Sequence, residues 1–403
     1  MKYIIILGDG MADEPIPELD DKTPLQAADT PTLDWLAFNS RIGLLNTVPY
    51  GYEPGSEIAH LSLLGYNVAD VFEGRGSLEA ASMGVDIEPG EMAMRCNLIC
   101  IENDKIKNHS AGHISNEEAD VLIDFLNENL ATDKIRFYPG VSYRHLLKIK
   151  GGNKNIHCTP PHDVPGSLFR QQLVRATTPE AEETAELINS LILRSQELLE
   201  NHPINIARAE KGKDKANSIW PWSAGYKPTM ETLSSKYGIK SGVVISAVDL
   251  IRGIGIYAGL TPIIVEGATG LANTNYEGKA KAAIDALNDG HDFVFLHVEA
   301  SDEAGHEGDY ELKKKTIEYL DSRICKPIVE ATLKMEEPVT IAVLPDHPTP
   351  CRRRTHSASP VPVMIYRPGS RPDRVPRYDE ELAQFGMLGN MSRDDFMKEL
   401  FRK

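Results

Sequence analysis

A short apolar run, Phe293-Val-Phe-Leu-His-Val298, leads directly into Glu299-Ala-Ser-Asp302-Glu-Ala-Gly-His306-Glu-Gly-Asp309. The run has the length and hydrophobicity of a buried strand. The cluster after it is broken by Gly305 and Gly308. Asp302 and His306 stand four residues apart, so one helical turn would let both side chains converge on a single metal ion. Carboxylate oxygen beside imidazole nitrogen suits Mn, Zn or Fe and does not describe a structural cysteine site. A group of this kind beyond the carboxyl end of a strand is where open α/β sheets carry their chemistry. Taken alone, the stretch is equally compatible with a polar loop ahead of a charged helix.

The strand-then-helix rhythm recurs. Tyr3–Leu7, Lys240–Ser246, Thr261–Val265 and Pro338–Leu344 read as strands, and Leu250–Gly259, Lys279–Asn288 and Glu311–Leu333 as helices. Residues 24–46 read as a helix, with Thr30-Pro31 as a capping signal, and then a strand around Gly43–Val48. This alternation predicts an α/β fold with a doubly wound, largely parallel sheet. From about residue 86 the texture changes. Met92–Ile101 reads as a strand, Asn116–Asn129 as a helix, Ile135–Ile149 as two short strands and Thr178–Asn201 as a long capped helix. Gly151–Gly166 reads as a hinge loop, and Glu73-Gly-Arg75-Gly76 as a loop exposing its arginine. The 403 residues suffice for two or three domains. The expected organisation is a core, 1–85 and 216–403, split by a smaller inserted α+β block, 86–215.

Asp9 follows the first strand, Asp346-His347 follows Val339–Leu344, and His356 lies shortly after, beyond Arg352-Arg353-Arg354. A parallel sheet gathers the ends of its strands, so Asp9, Asp302, His306, Asp346, His347 and His356 are expected in one place. A Gly/Pro-rich loop, Pro49–Gly55, feeds an apolar-periodic run and puts Ser56 at the helix cap. A serine there is most often only a cap. It can also be a nucleophile whose phosphoryl group is stabilised by free N–H groups and the helix dipole. No base is evident nearby in the sequence, so a metal would have to activate it. Six N/O ligands plus a serine oxygen exceed one tetrahedral site and suit two.

The net charge of −16 argues against a nucleic-acid binder. It also means that an anionic substrate needs local positive charge from metals and arginines. No apolar run approaches the ~20 residues of a membrane helix, and the N-terminal run is too short for a signal peptide. Five scattered cysteines without CxxC spacing predict free thiols in a reducing cytoplasm. No P-loop is present. The oligomeric state is left open.

The segments Gly-Asp9-Gly-Met-Ala-Asp13, Pro-Gly-Ser56-Glu-Ile-Ala-His-Leu, Asp302-Glu-Ala-Gly-His306, Asp346-His347 and Thr-His356-Ser-Ala-Ser-Pro-Val-Pro together resemble the alkaline phosphatase superfamily. Within it the chain resembles the archaeal-type cofactor-independent phosphoglycerate mutases. The likeness runs nearly end to end, including Glu73-Gly-Arg75-Gly76, Arg95-Cys-Asn97, Gly140-Val-Ser-Tyr-Arg144-His145 and Gly267-Ala-Thr-Gly270. It implies that Ser56 is a phosphorylated nucleophile. It implies that Asp302, His306 and His356 hold one divalent ion, Mn or Zn, and that Asp9, Ser56, Asp346 and His347 hold a second. Arg75, Arg95, Arg144, His109 and His113 would contact the substrate, and the inserted block would be a lid that excludes water. The implied activity is a cytoplasmic, metal-dependent phosphotransferase of glycolysis and gluconeogenesis, interconverting 2- and 3-phosphoglycerate through phosphoserine.

Where the family carries Asp-Arg-Arg-Ala-Gly-Arg, this chain has Asn108-His109-Ser110-Ala-Gly-His113, and an Arg-Gly-Ala-Gly is replaced by Trp222-Ser223-Ala-Gly. These side chains cannot make the bidentate fork of an arginine. Arg170 and Arg352–Arg354 are further candidates for anion contacts, the latter equally a solvated charge run. Two alternatives stand beside the mutase: the same two-metal machinery with homoserine or water as acceptor, and a non-catalytic metal-binding relative. A sulfatase is disfavoured, because Ser56 lacks the Pro and Arg of the formylglycine motif.

Overall fold

The computed structural model describes residues 1–402. Contacts divide the chain into two compact units, Met1–Phe72 with Thr229 onward, and Glu73–Pro228. The second unit extends beyond the expected block, 86–215, at both ends.

The first unit is built on an eight-stranded sheet. Its strands are β1 (Lys2–Gly8), β2 (Arg41–Leu45), β3 (Gly242–Ile245), β4 (Thr261–Ile263), β5 (Phe293–Val298), β6 (Val339–Leu344), β7 (Val361–Tyr366) and β8 (Gly389–Met391), in the spatial order β4-β3-β5-β1-β6-β7-β2-β8. β5 and β6 are buried along their whole length, as strands covered on both faces must be. On one face of the sheet their Val294, Leu296, Ile341 and Val343 join Ile4, Ile6, Leu33, Leu36 and Ile317 in one core. The register places Leu7 opposite His297 on one side and Leu344 on the other. The loops that begin at Asp9, Glu299 and Pro345 therefore leave the same sheet edge. The sheet is mostly parallel, with one exception: β7 runs antiparallel to both β6 and β2.

The single helix expected over Glu311–Leu333 is three pieces: Tyr310–Tyr319, a π-helical turn Leu320–Cys325, and Lys326–Thr332. The wide turn carries Asp321, whose carboxylate accepts from the backbone N–H of Leu33 at 2.6 Å and of Thr32 at 3.3 Å. These are first-turn donors of the helix Pro31–Asn39. Thr30, the expected cap, makes no side-chain capping bond; a distant carboxylate serves instead.

The second unit is an antiparallel sheet around Glu91–Glu102, which pairs with Lys105–Asn108, Arg144–Lys150 and Ser218–Gly225, while Ile135–Val141 extends it. Helices Asn116–Leu130 and Glu182–Leu199 pack against it around Phe137, Leu126, Ile188 and Trp220. Two sequence expectations change here. The hinge loop contains a two-residue strand, Ile156–His157, paired with Arg175–Ala176. Arg75 is not in an exposed loop; half-buried, it opens the helix Arg75–Ser82.

His145, 1% exposed, accepts from the Gly140 N–H through Nδ1 at 3.1 Å. Burial pushes its imidazole down to about 3. The unfolded chain therefore binds a proton near pH 6.5 that the folded chain refuses until near pH 3. Stability is complete above pH 6.5 and falls as the pH drops through that window. His145→Asn keeps an acceptor and removes the titration. In urea unfolding, wild type should lose about 2 kcal/mol more than this variant between pH 6.5 and 5.

Among the described residues no helix is long and apolar enough to cross a membrane. All five cysteines are free.

Candidate active site

The helix Ala300–Glu307 follows β5 closely and places Asp302 and His306 on one face. His306 Nε2 lies 3.3 Å from Asp302 Oδ2 and 2.9 Å from His356 Nε2, and His356 Nε2 lies 3.5 Å from Asp302 Oδ1. Beside this group, His347 Nε2 lies 3.7 Å from Asp9 Oδ1, 3.2 Å from Asp346 Oδ2 and 3.3 Å from Ser56 Oγ. All six carboxylates and imidazoles singled out in the sequence, and the serine, are brought together. His347 stands at the junction: its ligand atoms fall within 4.8 Å both of Asp302 and His356 and of Asp9 and Asp346.

Ser56 is not the cap of its helix. Gly55 occupies that position, and Ser56 is the first helical residue, making no capping bond. Its hydroxyl is thereby left to donate to His347, a neighbour the linear sequence does not reveal.

The bonds to the surroundings leave one metal-binding atom of each group facing the other groups of the cluster. His306 Nδ1 donates to the Arg354 carbonyl at 3.1 Å and His356 Nδ1 to the Pro54 carbonyl at 3.2 Å. Thr349 Oγ1 donates to Asp302 Oδ1 and accepts from His347 Nδ1 at 3.3 Å. Each Nε2 is thus turned inward. Asp346 Oδ1 accepts from the N–H groups of Gly10 at 3.1 Å and His347 at 2.9 Å. Its Oδ2, and Oδ1 of Asp9, are buried without any hydrogen-bond partner. Orphaned carboxylate oxygens are costly in a protein interior, and here they face imidazole nitrogens. This donor set fits divalent cations. Gly10 is held at φ +60°, and a Cβ there would stand 2.6 Å from Asp302 Oδ1, so the Asp9 loop approaches as only glycine allows.

The electrostatics agree. Burial, and then the Asp346 carboxylate, push Asp9 well above the usual carboxylate range. Burial works to raise Asp302 as well, but hydrogen bonds from His306 and His356 outweigh it and hold that carboxyl low. Asp302 in turn lifts His306 to about 9. A divalent cation held by His306 would take the place of that proton.

Several groups here escaped the sequence reading. His60 Nδ1 donates to the Ser56 carbonyl at 2.7 Å and lies 3.4 Å from Asp346 Oδ2. Its signal was position, one helical turn after Ser56. His297 Nε2 lies 2.8 Å from Asp9 Oδ2; its signal was a polar residue in an apolar strand. Arg353 pairs with Glu14, and Arg354 serves through its backbone.

In the second unit, Arg95 is buried, 3.1 Å from Glu79 Oε1 and 4.8 Å from the centre of the Trp222 ring. His109 and His113 each meet the Tyr143 ring at 5.8 Å, and Arg144 lies 5.6 Å from that ring. His162, not anticipated, bridges His109 and Trp222 at 6.0 and 5.4 Å. Burial first, then the charges of Arg75 and Arg144, lower the Arg95 guanidinium. The cluster gathers more positive charge than Glu79 answers, the condition for binding an anion. Arg170 instead lies over Phe169, at 4.9 Å.

A family model described as 2,3-bisphosphoglycerate-independent phosphoglycerate mutase matches residues 37–205. The 2,3-bisphosphoglycerate-independent phosphoglycerate mutase of Methanosarcina acetivorans is 51% identical over 406 residues, covering 100% of both chains. A solved cofactor-independent phosphoglycerate mutase from Thermoplasma acidophilum superimposes with a TM-score of 0.68 at 28% identity, over 100% of this chain and 99% of that one. A solved Pyrococcus horikoshii protein does so with a TM-score of 0.83 at 32% identity, over 99% and 97%.

Proposed function

The chain belongs to the 2,3-bisphosphoglycerate-independent phosphoglycerate mutase family, and from that premise we propose how its residues divide the work. The protein is an enzyme that interconverts 2- and 3-phosphoglycerate, a small phosphorylated metabolite. Homoserine phosphorylation is not favoured, since relatives at this identity are named mutases.

Ser56 is the nucleophile in this reading. The observation that carries it is a serine hydroxyl 3.3 Å from His347 Nε2, the nitrogen that also stands 3.2 Å from Asp346 Oδ2 and 3.7 Å from Asp9 Oδ1, two orphaned carboxylate oxygens. Ser56 Oγ gives up its proton and forms a bond to phosphorus as the bond from phosphorus to the glycerate oxygen breaks, and that oxygen takes up a proton. The second glycerate hydroxyl then gives up its proton and attacks the phosphoserine, the Ser56–phosphorus bond breaks, and Ser56 Oγ is protonated again. Asp302, His306 and His356 would hold one divalent cation, and Asp9, Ser56, Asp346 and His347 the other. Bound there, manganese or zinc ions lower the pKa of the serine hydroxyl and offset charge on the phosphoryl oxygens. The N–H groups at the start of the helix Ser56–Leu63, which the Gly55 cap leaves without a side-chain capping bond, add partial positive charge beside the phosphoserine. His60 fixes the Ser56 carbonyl and with it the direction of the hydroxyl.

Arg75, Arg95, Arg144, His109 and His113, with His162, hold the carboxylate and phosphate of the substrate. This gives the Glu73–Pro228 unit the recognising role. The five free thiols support a cytoplasmic setting.

The test is an enolase-coupled assay with 3-phosphoglycerate and Mn²⁺, run beside homoserine with ATP. Phosphoenolpyruvate from the first and no product from the second is expected. O-phosphohomoserine without phosphoenolpyruvate would overturn the acceptor. Metal uptake without turnover of any phosphoester would return the chain to the non-catalytic alternative.

A further inference from the structure

We propose that Ser246 and His297 form a positioning relay that fixes Asp9 as a one-oxygen ligand and so keeps room for Ser56 and a phosphoryl oxygen beside it. The proposal rests on the functional reading above. His297 is fully buried near the end of β5. Ser246 follows β3 directly, and the register of Ile245 opposite Leu296 makes the two residues neighbours. The ionised Asp9 carboxylate can only accept, so His297 Nε2 carries the ring proton and donates it to Asp9 Oδ2 at 2.8 Å. That fixes the tautomer: Nδ1, without a proton, accepts from Ser246 Oγ at 2.9 Å. Ser246 Oγ itself accepts from the Val248 N–H at 3.0 Å, which holds the hydroxyl in place.

The ring is held at both nitrogens, and His60 meets it edge-on at 5.2 Å. The buried Lys279 Nζ donates to the His297 backbone carbonyl at 3.1 Å and so fixes the end of the strand that carries it. With Oδ2 engaged, Asp9 offers only Oδ1, the oxygen without a partner, 3.7 Å from His347 Nε2. A carboxylate free to rotate would present both oxygens and fill a position that the serine and the substrate require. Partners of this kind set the orientation of metal ligands, and their loss costs about 10- to 100-fold in affinity.

The experiment is calorimetric titration of the chelator-stripped full chain with Mn²⁺, for wild type, His297→Phe, His297→Gln and Ser246→Ala. His297→Phe should weaken one Mn²⁺ step by about 10- to 100-fold and leave the other near wild type. His297→Gln, whose amide can still donate to Asp9, should recover most of that loss. Ser246→Ala, which keeps the ring and removes its partner at Nδ1, should weaken the same step less. A partial defect with rescue is not what general loss of packing produces. Unchanged Mn²⁺ affinity in His297→Phe would overturn the relay. So would His297→Gln as impaired as His297→Phe, when the metal-free melting temperatures equal that of wild type. Should His297→Phe not fold, Ser246→Ala decides, and unchanged affinity there overturns the relay. Because the readout needs no substrate, a wild type that binds Mn²⁺ but leaves 3-phosphoglycerate unconverted sinks the functional reading alone.

Discussion

Ser56→Ala should fold, bind metal and fail to turn over 3-phosphoglycerate, with kcat reduced on the order of 10⁴-fold or more. The asymmetry follows from where the residue sits. Ser56 is only half-buried, opens its helix without capping it, and makes one side-chain hydrogen bond, to His347 Nε2. Losing that bond costs about 1 kcal/mol of stability at most. The other donors, Asp9 Oδ1, Asp346 Oδ2 and His347 Nε2, are positioned by Gly10, Thr349 and His297 and do not depend on the serine. In the proposed mechanism the chemistry depends on it entirely, because the other hydroxyl beside these ligands, Thr349 Oγ1, is buried and engaged by Asp302 Oδ1 and His347 Nδ1. Intact-mass analysis after mixing with 3-phosphoglycerate should show a phosphoryl adduct on wild type and none on the variant. Turnover above a hundredth of wild type in Ser56→Ala would remove the covalent route.

Much of this site could be read from the chain because its logic is topological. Short apolar runs become parallel strands, parallel strands gather their ends, and Asp9, Asp302 and Asp346 each stand just past one. Spacing placed His306 with Asp302 for the same kind of reason. What stayed hidden depends on three-dimensional partners. His297 in Phe-Leu-His-Val looks like a core residue until Ser246 and Asp9 stand on either side of it. The strand Val361–Tyr366 begins Val-Pro, a poor strand signal, and its direction is set by β6 and β2 rather than by its own residues. The second unit outgrew its expected limits because Trp220 and Trp222 pair with Asn97 and Arg95, a contact far apart in sequence.

Lys313→Met should cost about 3–5 kcal/mol of stability, the usual result of breaking one side of a buried ion pair. In sequence, nothing sets Lys313 apart from Lys314 and Lys315. In the fold, Lys313 is fully buried, its Nζ donating to Asp13 Oδ2 at 2.8 Å, the Ala12 carbonyl at 3.0 Å and the Thr349 carbonyl at 2.8 Å. One ammonium therefore ties the loop after β1 to the loop after β6, the two segments that carry Asp9, Asp346 and His347. Asp13 Oδ2 also accepts from the Cys351 N–H at 3.1 Å. Methionine fills much of the volume but leaves a buried carboxylate facing apolar atoms and takes its side-chain donor from the Thr349 carbonyl, while the Ala12 carbonyl keeps only the Thr349 N–H at 3.2 Å. Urea unfolding should be run with chelator present, since bound cations add their own stabilisation by mass action. Asp13→Leu alone strands the ammonium and should be similarly costly. The double variant Lys313→Met/Asp13→Leu should lose clearly less than the sum of the single losses, because neither charge is then left alone. Additive losses, or a Lys313→Met cost below about 1 kcal/mol, would mean that the ammonium is solvated and that the two loops are held by something else. If the pair does act as the tie, the Lys313→Met protein should also bind Mn²⁺ more weakly at both steps. Thr349 bridges Asp302 and His347, and so stands between the two ligand groups.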